Sequence, residues 1–570
     1  MTIRRKCRLG ILLILGLALV AFFVDEKAGP DIENGSTLVL KIEGEYLEAG
    51  QAPWVSKLLG ERRRPFVGLL STFAMAERDD RIANVVIVVR PLALGWGKIE
   101  ELRDAIGRLN SAGRHTIAYL EMAVLSGSRE YFLASAADEI RMVPGGTVPV
   151  LGLAAEYLFL GGLWEKIGIE FDVAKAGRYK SAVEGVAGKG MSDASREMAN
   201  SLLDSTYELL VSGIAEGRDL TRQQVLEVID KGPATPIELQ ELGLIDGIQH
   251  LDILLDEIAG PILRHDTYAG LDPAEIGFDP VSEVALIYGS GTVVGGHGSR
   301  GNSDFAASRA AKSLQQAVDD SEIDAIILRI DSPGGSALAS EQIWRAIIKA
   351  RQSGKPVIAS FSDLAASGGY YVAVAADEIV SNQATLTGSI GVFALRPVLG
   401  GGLAKLGVEV ESLTRGRHAD FMLSSQKLSQ SDQLRLQNLI LDTYGLFIER
   451  VAEGRDMTEE RVDTVAQGRV WTGIQAYERG LVDHLGGLHM AVGRVRARLG
   501  LDADADVALV SFPPPRSLGE ELADALDSRL EVAWLSYLRL PDRLERIARQ
   551  WLELEPGSPL LIPPFLVEIH

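Results

Sequence analysis

Three short stretches of this chain carry residue types that could do chemistry together. Ser367 lies in AASGGYY (365–371), between small residues and ahead of two glycines, with an apolar, helix-like stretch after it. A serine so placed can be a nucleophile at a strand-to-helix turn, where small neighbours let a substrate carbonyl approach, although the stretch is not a GxSxG elbow. The same pattern also suits a serine that caps a helix. A serine hydroxyl needs a base. Lys180, in AGRYKSAVE (176–184), can be one if burial brings its pKa down from about 10.4 towards about 7–8; at the surface it is an ordinary lysine. Among the eight histidines, His418 is the one alternative base to watch. DSPGGS (331–336) is the third stretch. Pro333 fixes a turn, and Gly334 and Gly335 can bring bare N–H groups close to a substrate oxygen. With the Gly368 N–H they could hold a tetrahedral oxyanion; an ordinary Pro-Gly turn after a strand reads the same way. The chemistry this set could perform is acyl transfer through a serine ester.

The elements around these residues come in two copies. SREYFLASAADEI (128–140) lies over SGGYYVAVAADEI (367–379) at an offset of 239 residues, and GRYKSAVE (177–184) lies over GRHADFML (416–423) at the same offset. The copies differ where chemistry would sit. Lys180 falls over Ala419, and DSPGGS falls over RPLALG (90–95), which has lost the turn. Ser128 lies over Ser367 but is followed by Arg129 and Glu130, so it reads as vestigial. One half therefore offers a lysine, the other a serine and an oxyanion pocket.

Continuous apolar runs such as NVVIVV (84–89) and DAIILRI (324–330) predict strands buried on both faces. Amphipathic helical patterns alternate with them, which predicts an α/β fold with mostly parallel strands. Each copy ends in a short unit, GLID (243–246) or GLVD (480–483). The repeats are expected over 35–257 and 283–498, with a Gly/Pro/Asp-rich linker at 258–282 and an extension at 499–570 that ends PGSPLLIPPFLVEIH. The glycine-rich stretch 289–304 does not match GxGxxG before a helix and reads as a flap or assembly loop.

With 57 Lys and Arg against 78 Asp and Glu, the net charge is −21, which argues against nucleic acid as a partner. No metal-ligand spacing is present, and Cys7 is the only cysteine, so no internal disulfide forms. Arg4, Arg5, Lys6 and Arg8, within the basic segment 1–8, precede an apolar run at 9–24. Sixteen residues at about 1.5 Å each span roughly 24 Å, slightly short of a ~30 Å hydrocarbon core. A cleaved signal peptide and an uncleaved anchor compete for this run. The lack of a clear small-x-small cleavage site favours a transmembrane signal anchor, with the basic flank inside and the body outside, the periplasm in a bacterium.

GRYKSAVE, DSPGGS, AASGGYY, TLTGSIG (385–391) and GRVWTG (468–473) together resemble the family of bacterial signal peptide peptidase A (protease IV) in its long, duplicated form, from the N-terminal anchor to about residue 498. The resemblance implies two tandem crotonase/Clp-protease-like α/β repeats preceded by one transmembrane helix. It implies a Ser/Lys dyad formed between the halves, with Ser367 as nucleophile and Lys180 as general base. It also implies that Ser389 of TLTGSIG hydrogen-bonds the lysine; from the residues alone Ser389 is only a turn or strand-end serine. Gly335 and Gly368 would bind the oxyanion, with Gly334 shaping the turn. The family implies remnant signal peptides as substrates, a homotetrameric bowl on the periplasmic face of the inner membrane, and no metal or other cofactor. Two other readings are a non-catalytic membrane scaffold and a crotonase-type acyl-CoA enzyme.

Overall fold

The computed structural model describes residues 32–48, 64–513 apart from 259, 299–303 and 422, and the pair 560–561. The expected anchor at 9–24 and most of the extension at 499–570 lie outside the described residues. Among those described, no helix is long and apolar enough to cross a membrane.

Each copy builds its own sheet. In the first half, strands Gly247–Ile248, Glu139–Met142, His115–Leu120, Ile82–Leu92, Ser36–Gly44 and Ile262–Arg264 lie side by side in that order, all parallel. In the second half the path runs Val470–Thr472, Leu386–Gly388, Val357–Ala366, Ile323–Ser332, Ser282–Ser290 and Val507–Phe512. Strands Glu378–Ser381 and His484–Leu485 branch from it, and only the Leu386–Gly388 pairing with Val470–Thr472 is antiparallel. The apolar runs sit where parallel strands covered by helices should: Val85 to Val89 and Ile326 to Leu328 are fully buried.

The internal repeat is visible bond by bond. Tyr131 donates its hydroxyl to the Leu244 carbonyl, and Tyr370 to the Leu481 carbonyl, at 2.7 and 2.8 Å. The Asp246 carboxylate accepts the Ile140 N–H, and Asp483 the Ile379 N–H. GLID and GLVD thus recur because each closes the same end of its sheet. The repeat also extends past its sequence signal. Ile262–Arg264, within the stretch read as a linker, pairs with the first strand of its half; Val507–Phe512, within the stretch read as an extension, does the same in the second. Neither carries a motif, because edge strands need backbone pairing more than particular side chains.

A third sheet joins the halves, in the order Phe305–Ala306, Val293–Val294, Gly335–Ser336, Leu560–Leu561, Val392–Val398, Glu170–Ala176. The last pair is antiparallel over seven residues, from Val392 opposite Ala176 to Val398 opposite Glu170. Here the first half lends a strand to the second, and Ala174 and Ala176 belong to the second half's core. Lys180 follows four residues after that strand.

Candidate active site

Val357–Ala366 and the helix Gly368–Ala373 meet at Ser367, whose backbone sits at φ 54°, ψ −112°. A non-glycine residue held there costs on the order of 1–3 kcal/mol, and it persists where the surroundings fix it. The Ser367 N–H donates to the Gly388 carbonyl at 2.8 Å, and its carbonyl accepts from the Tyr371 N–H. Small neighbours are obligatory: a Cβ on Gly368 would lie 3.0 Å from Gly334 Cα and from Gly335 N. The two glycine turns are therefore in contact, which brings the N–H of Gly335 to the helix start. The Gly334 N–H is already taken by the Ser332 hydroxyl at 3.1 Å, so Gly334 shapes the turn. A Cβ on Gly335 would strike the Val293 carbonyl oxygen at 2.1 Å, so this position admits only glycine.

Lys180 enters from the other half. Its Nζ lies 2.8 Å from Ser367 Oγ, 3.0 Å from Ser389 Oγ and 3.0 Å from the Ser389 carbonyl oxygen. All three residues are fully buried. Among the described residues no carboxylate faces the amine, and burial pushes its pKa well below the ordinary lysine range. Ser389 also holds a left-handed backbone, φ 53°, with its N–H donated to the Arg469 carbonyl.

The loop that carries Lys180 is moulded by the second half. Tyr179 N–H donates to the Gln467 carbonyl at 2.7 Å, and Gly468 packs on the Lys180 backbone so closely that a Cβ there would lie 2.5 Å from Lys180 N. Gly468 opens GRVWTG, a motif whose role sequence reading left open. Its φ of +76° adds a second reason for glycine. Gly468→Ala is expected to shift the lysine and lower kcat by ~100-fold or more with little change in KM, as judged by steady-state kinetics on a peptide substrate.

The remaining sequence candidates lie elsewhere. His418 pairs through Nδ1 with Asp432 Oδ1 at 2.5 Å at the start of helix Gln430–Arg455, and makes no hydrogen bond to Ser367 or Lys180. Ser128 donates to the Gly152 carbonyl. Its followers close off the first-half site: Glu130 accepts the Leu92 N–H, and Arg129 donates to the Leu94 carbonyl. Part of the glycine-rich stretch 289–304 forms Val293–Val294 beside the Gly335 strand; 299–303 lie outside the described residues. Among the described residues no cluster of metal-binding side chains occurs.

Sequence reading missed a second buried lysine. Lys98, near the start of helix Trp96–Ser111, bonds Asp331 at 2.6 Å and Asp363 at 2.8 Å, with Glu48 at 3.5 Å. Asp331 is the first residue of DSPGGS, and Asp363 lies four residues before Ser367. The Asp363 carboxylate also accepts the N–H groups of Gly95 and Lys98, so it caps that helix across the two halves. Beside this cluster, fully buried Arg329 pairs with Glu48 at 3.0 Å and with Glu101 at 2.5 Å. Burial alone would lower Lys98, but Asp331, Asp363 and Glu48 hold it charged, well above the ordinary range. Among the described residues the two buried lysines therefore differ by their neighbours: three carboxylates around Lys98, none facing Lys180. The one local signal that could have found it is the aspartate of DSPGGS, which a turn built to present N–H groups does not need.

A family model described as peptidase family S49 matches residues 108–260 and 349–502. The chain is 33% identical over 511 residues to a chloroplastic serine protease, SPPA, of Arabidopsis thaliana, covering 87% of this chain and 74% of that one. It is 29% identical over 528 residues to Protease 4 of Haemophilus influenzae, covering 88% and 85%. Protease 4 of Salmonella typhi is 32% identical over 384 residues, 64% of this chain and 61% of that one. With two matched segments on two copies of one α/β unit, the chain is a serine peptidase and belongs to peptidase family S49.

Proposed function

We propose that this peptidase cleaves apolar, extended peptides through an acyl-enzyme made by a Ser367/Lys180 dyad, and that remnant signal peptides at the membrane are its substrates. The observation that carries the dyad is the 2.8 Å approach of Lys180 Nζ to Ser367 Oγ in a buried setting where no carboxylate among the described residues faces the amine. A neutral amine takes the hydroxyl proton as Oγ attacks the carbonyl carbon. The carbonyl oxygen, now charged, is held by the N–H groups of Gly335 and Gly368. Lys180 returns the proton to the leaving amine as the tetrahedral intermediate collapses, then takes one from the water that hydrolyses the ester. Ser389 keeps the lysine aimed through its hydroxyl and carbonyl.

In this reading each repeat is a crotonase/Clp-like unit, residues 9–24 anchor the chain in the inner membrane, the body lies in the periplasm, and four copies assemble. Support for the anchor comes from the basic flank and the apolar run. An acyl-CoA enzyme is disfavoured by the family and by the absence of any need for a lysine base beside the serine in that chemistry. The test is hydrolysis of a fluorogenic apolar peptide by the detergent-solubilised full chain beside Ser367→Ala. Activity in the parent and none in the folded variant supports the dyad. Equal activity in both overturns it.

A further inference from the structure

Among the described residues five non-glycine positions hold a positive φ: Asp219, Ser367, Ser389, Asp456 and Gln467. Asp219 and Asp456 end the two GRD stretches at helix C-termini, where the copies agree. Ser367 and Ser389 belong to the site. Gln467, φ 54°, has neither reason, and such strain persists where the surroundings fix it. The duplication shows that it belongs to one half only. Thr221 and Thr458 cap equivalent helices at an offset of 237 residues. The first helix, Arg222–Lys231, runs through Asp230, the counterpart of Gln467. The second, Glu459–Val465, stops short and frees Gln467 to turn towards the lysine loop.

Every polar group of Gln467 is used. Residues 177–180 form a turn closed by the Lys180 N–H on the Gly177 carbonyl at 3.2 Å, which leaves the N–H groups of Arg178 and Tyr179 without a partner inside it. Gln467 takes both: its Oε1 accepts from the Arg178 N–H at 3.2 Å and its carbonyl from the Tyr179 N–H at 2.7 Å. The side-chain amide can point only one way. Its Nε2 donates to Asp463 Oδ1 at 2.6 Å and to Tyr444 Oη at 3.3 Å; reversed, an oxygen would face the carboxylate and an NH2 would face the Arg178 N–H. Tyr444 donates its hydroxyl to Asp463 at 2.6 Å and accepts the Gln467 N–H at 3.3 Å. Gly177 comes so close that a Cβ there would lie 2.5 Å from the Gln467 carbonyl carbon. On the outer side of the turn, the Arg469 guanidinium stacks over the Tyr179 ring at 4.8 Å, and Glu197 accepts the Tyr179 hydroxyl at 3.0 Å. The two residues after Gln467 reach the other partner of the amine. The Gly468 N–H donates to the Ile390 carbonyl, and the Arg469 carbonyl accepts the Ser389 N–H, both at 2.7 Å. One tripeptide thus ties the Lys180 turn to Ser389.

We propose that Gln467 is a positioning residue for Lys180: its amide, aimed by Asp463 and Tyr444, holds the 177–180 turn against the second half and so keeps Nζ in reach of Ser367 Oγ. This rests on the dyad reading above. Gln467 touches neither of the reacting atoms, and its effect passes through the turn. Loosening the turn lengthens the approach of Nζ to Oγ, which slows the chemical step and leaves peptide binding alone. It also lets water reach the amine, which restores solvation that burial withheld and moves its ionisation back towards the ordinary lysine range.

The test is steady-state hydrolysis of a fluorogenic apolar peptide by the detergent-solubilised full chain from pH 6 to pH 10. The proteins are the parent, Ser367→Ala, Gln467→Leu, Gln467→Glu and Asp463→Asn/Gln467→Glu. Gln467→Leu is expected to lower kcat about 30-fold with KM within about twofold of the parent. Its rise of kcat/KM with pH should lie about one pH unit higher. Gln467→Glu sets a second carboxylate against Asp463 and should lose as much. In the double variant the new amide donates to the new carboxylate, whose other oxygen accepts the Arg178 N–H, so kcat should return to within about threefold of the parent. A glutamine that only stabilised the fold would lower the melting temperature and leave the pH profile where it is. A parental pH profile in Gln467→Leu, or a double variant no better than Gln467→Glu, therefore overturns the proposal. If Gln467→Leu does not fold, Gln467→Glu and its double variant decide. A Ser367→Ala protein as active as the parent overturns the dyad reading beneath it, whatever the glutamine variants do.

Discussion

Lys180→Met is expected to lower kcat by at least ~10⁴-fold on an apolar peptide, while its stability relative to the parent improves as pH falls. The activity loss follows from removing the only base within hydrogen-bond distance of Ser367 Oγ among the described residues. The stability effect has two parts. Methionine leaves the Ser367 and Ser389 hydroxyls with fewer partners, a cost of about 1–3 kcal/mol that does not depend on pH. Against this, the parent must desolvate an amine that the unfolded chain keeps charged up to about pH 10.4. The folded pKa is depressed by burial. Between it and about 10.4 the unfolded state therefore binds a proton that the folded state does not, and parent stability rises with pH across that window. Its penalty is full below the folded pKa and gone above about 10.4, at about 1.4 kcal/mol per unit of depression. Denaturant titrations of both proteins at pH 7 and pH 9.5 should show the methionine variant gaining on the parent at the lower pH. A difference that does not change with pH means Lys180 is charged in the fold. In the parent, kcat/KM should climb with pH through one ionisation well below 10.4, since only the neutral amine can act.

What the sequence made legible depended on how local each signal was. The turn at Ser367 and the glycine turns were readable because each needs small residues within a few positions: Gly368 because of Gly334 and Gly335, Gly335 because of the Val293 carbonyl. The duplication made the asymmetry of Lys180 against Ala419 visible before any geometry. The burial that depresses its pKa was not visible, since it is created by Ser389 and Gly468, more than 200 residues away in the chain. The same limit hid Lys98. WGKIEEL at 96–102 reads as an ordinary helix start, and its lysine acquires a role only because Asp331 and Asp363 of the other half close over it. The strand at Leu560–Leu561 was hidden for a different reason. A Pro-rich apolar tail has no strand periodicity, and its pairing is supplied by two edges elsewhere.

Lys98→Met is expected to destabilise the protein by about 3 kcal/mol at pH 7.5, with a loss of activity that acid partly reverses. The variant keeps the volume and removes the charge. Glu48 retains Arg329, which together with Lys98 holds it at about 2 against its burial. Asp331 and Asp363 lose the only cation paired with them among the described residues. The lower end of the range for breaking buried pairs applies because their side chains remain 23% and 21% exposed. Asp331 is already raised to about 6 in the parent, by burial first and by Asp363 and Glu48, with Lys98 opposing. Without Lys98 its folded pKa climbs further above its unfolded value. A carboxyl group raised in this way carries its full cost above its folded pKa, and that cost declines as pH falls from there towards the unfolded value of about 3.9. The deficit of Lys98→Met should therefore shrink between pH 7.5 and pH 5. Asp331 leads into the Gly334–Gly335 turn and Asp363 precedes Ser367 on its strand, so repulsion between them pulls the two glycine turns apart. The kinetic signature of that positioning role is a fall in kcat with KM nearly unchanged, largest at alkaline pH. Asp331→Asn in the Lys98→Met background removes the repulsion and should recover part of both stability and kcat at pH 7.5. If the double variant is no better than Lys98→Met, the lysine acts through helix packing and not by holding the two carboxylates together.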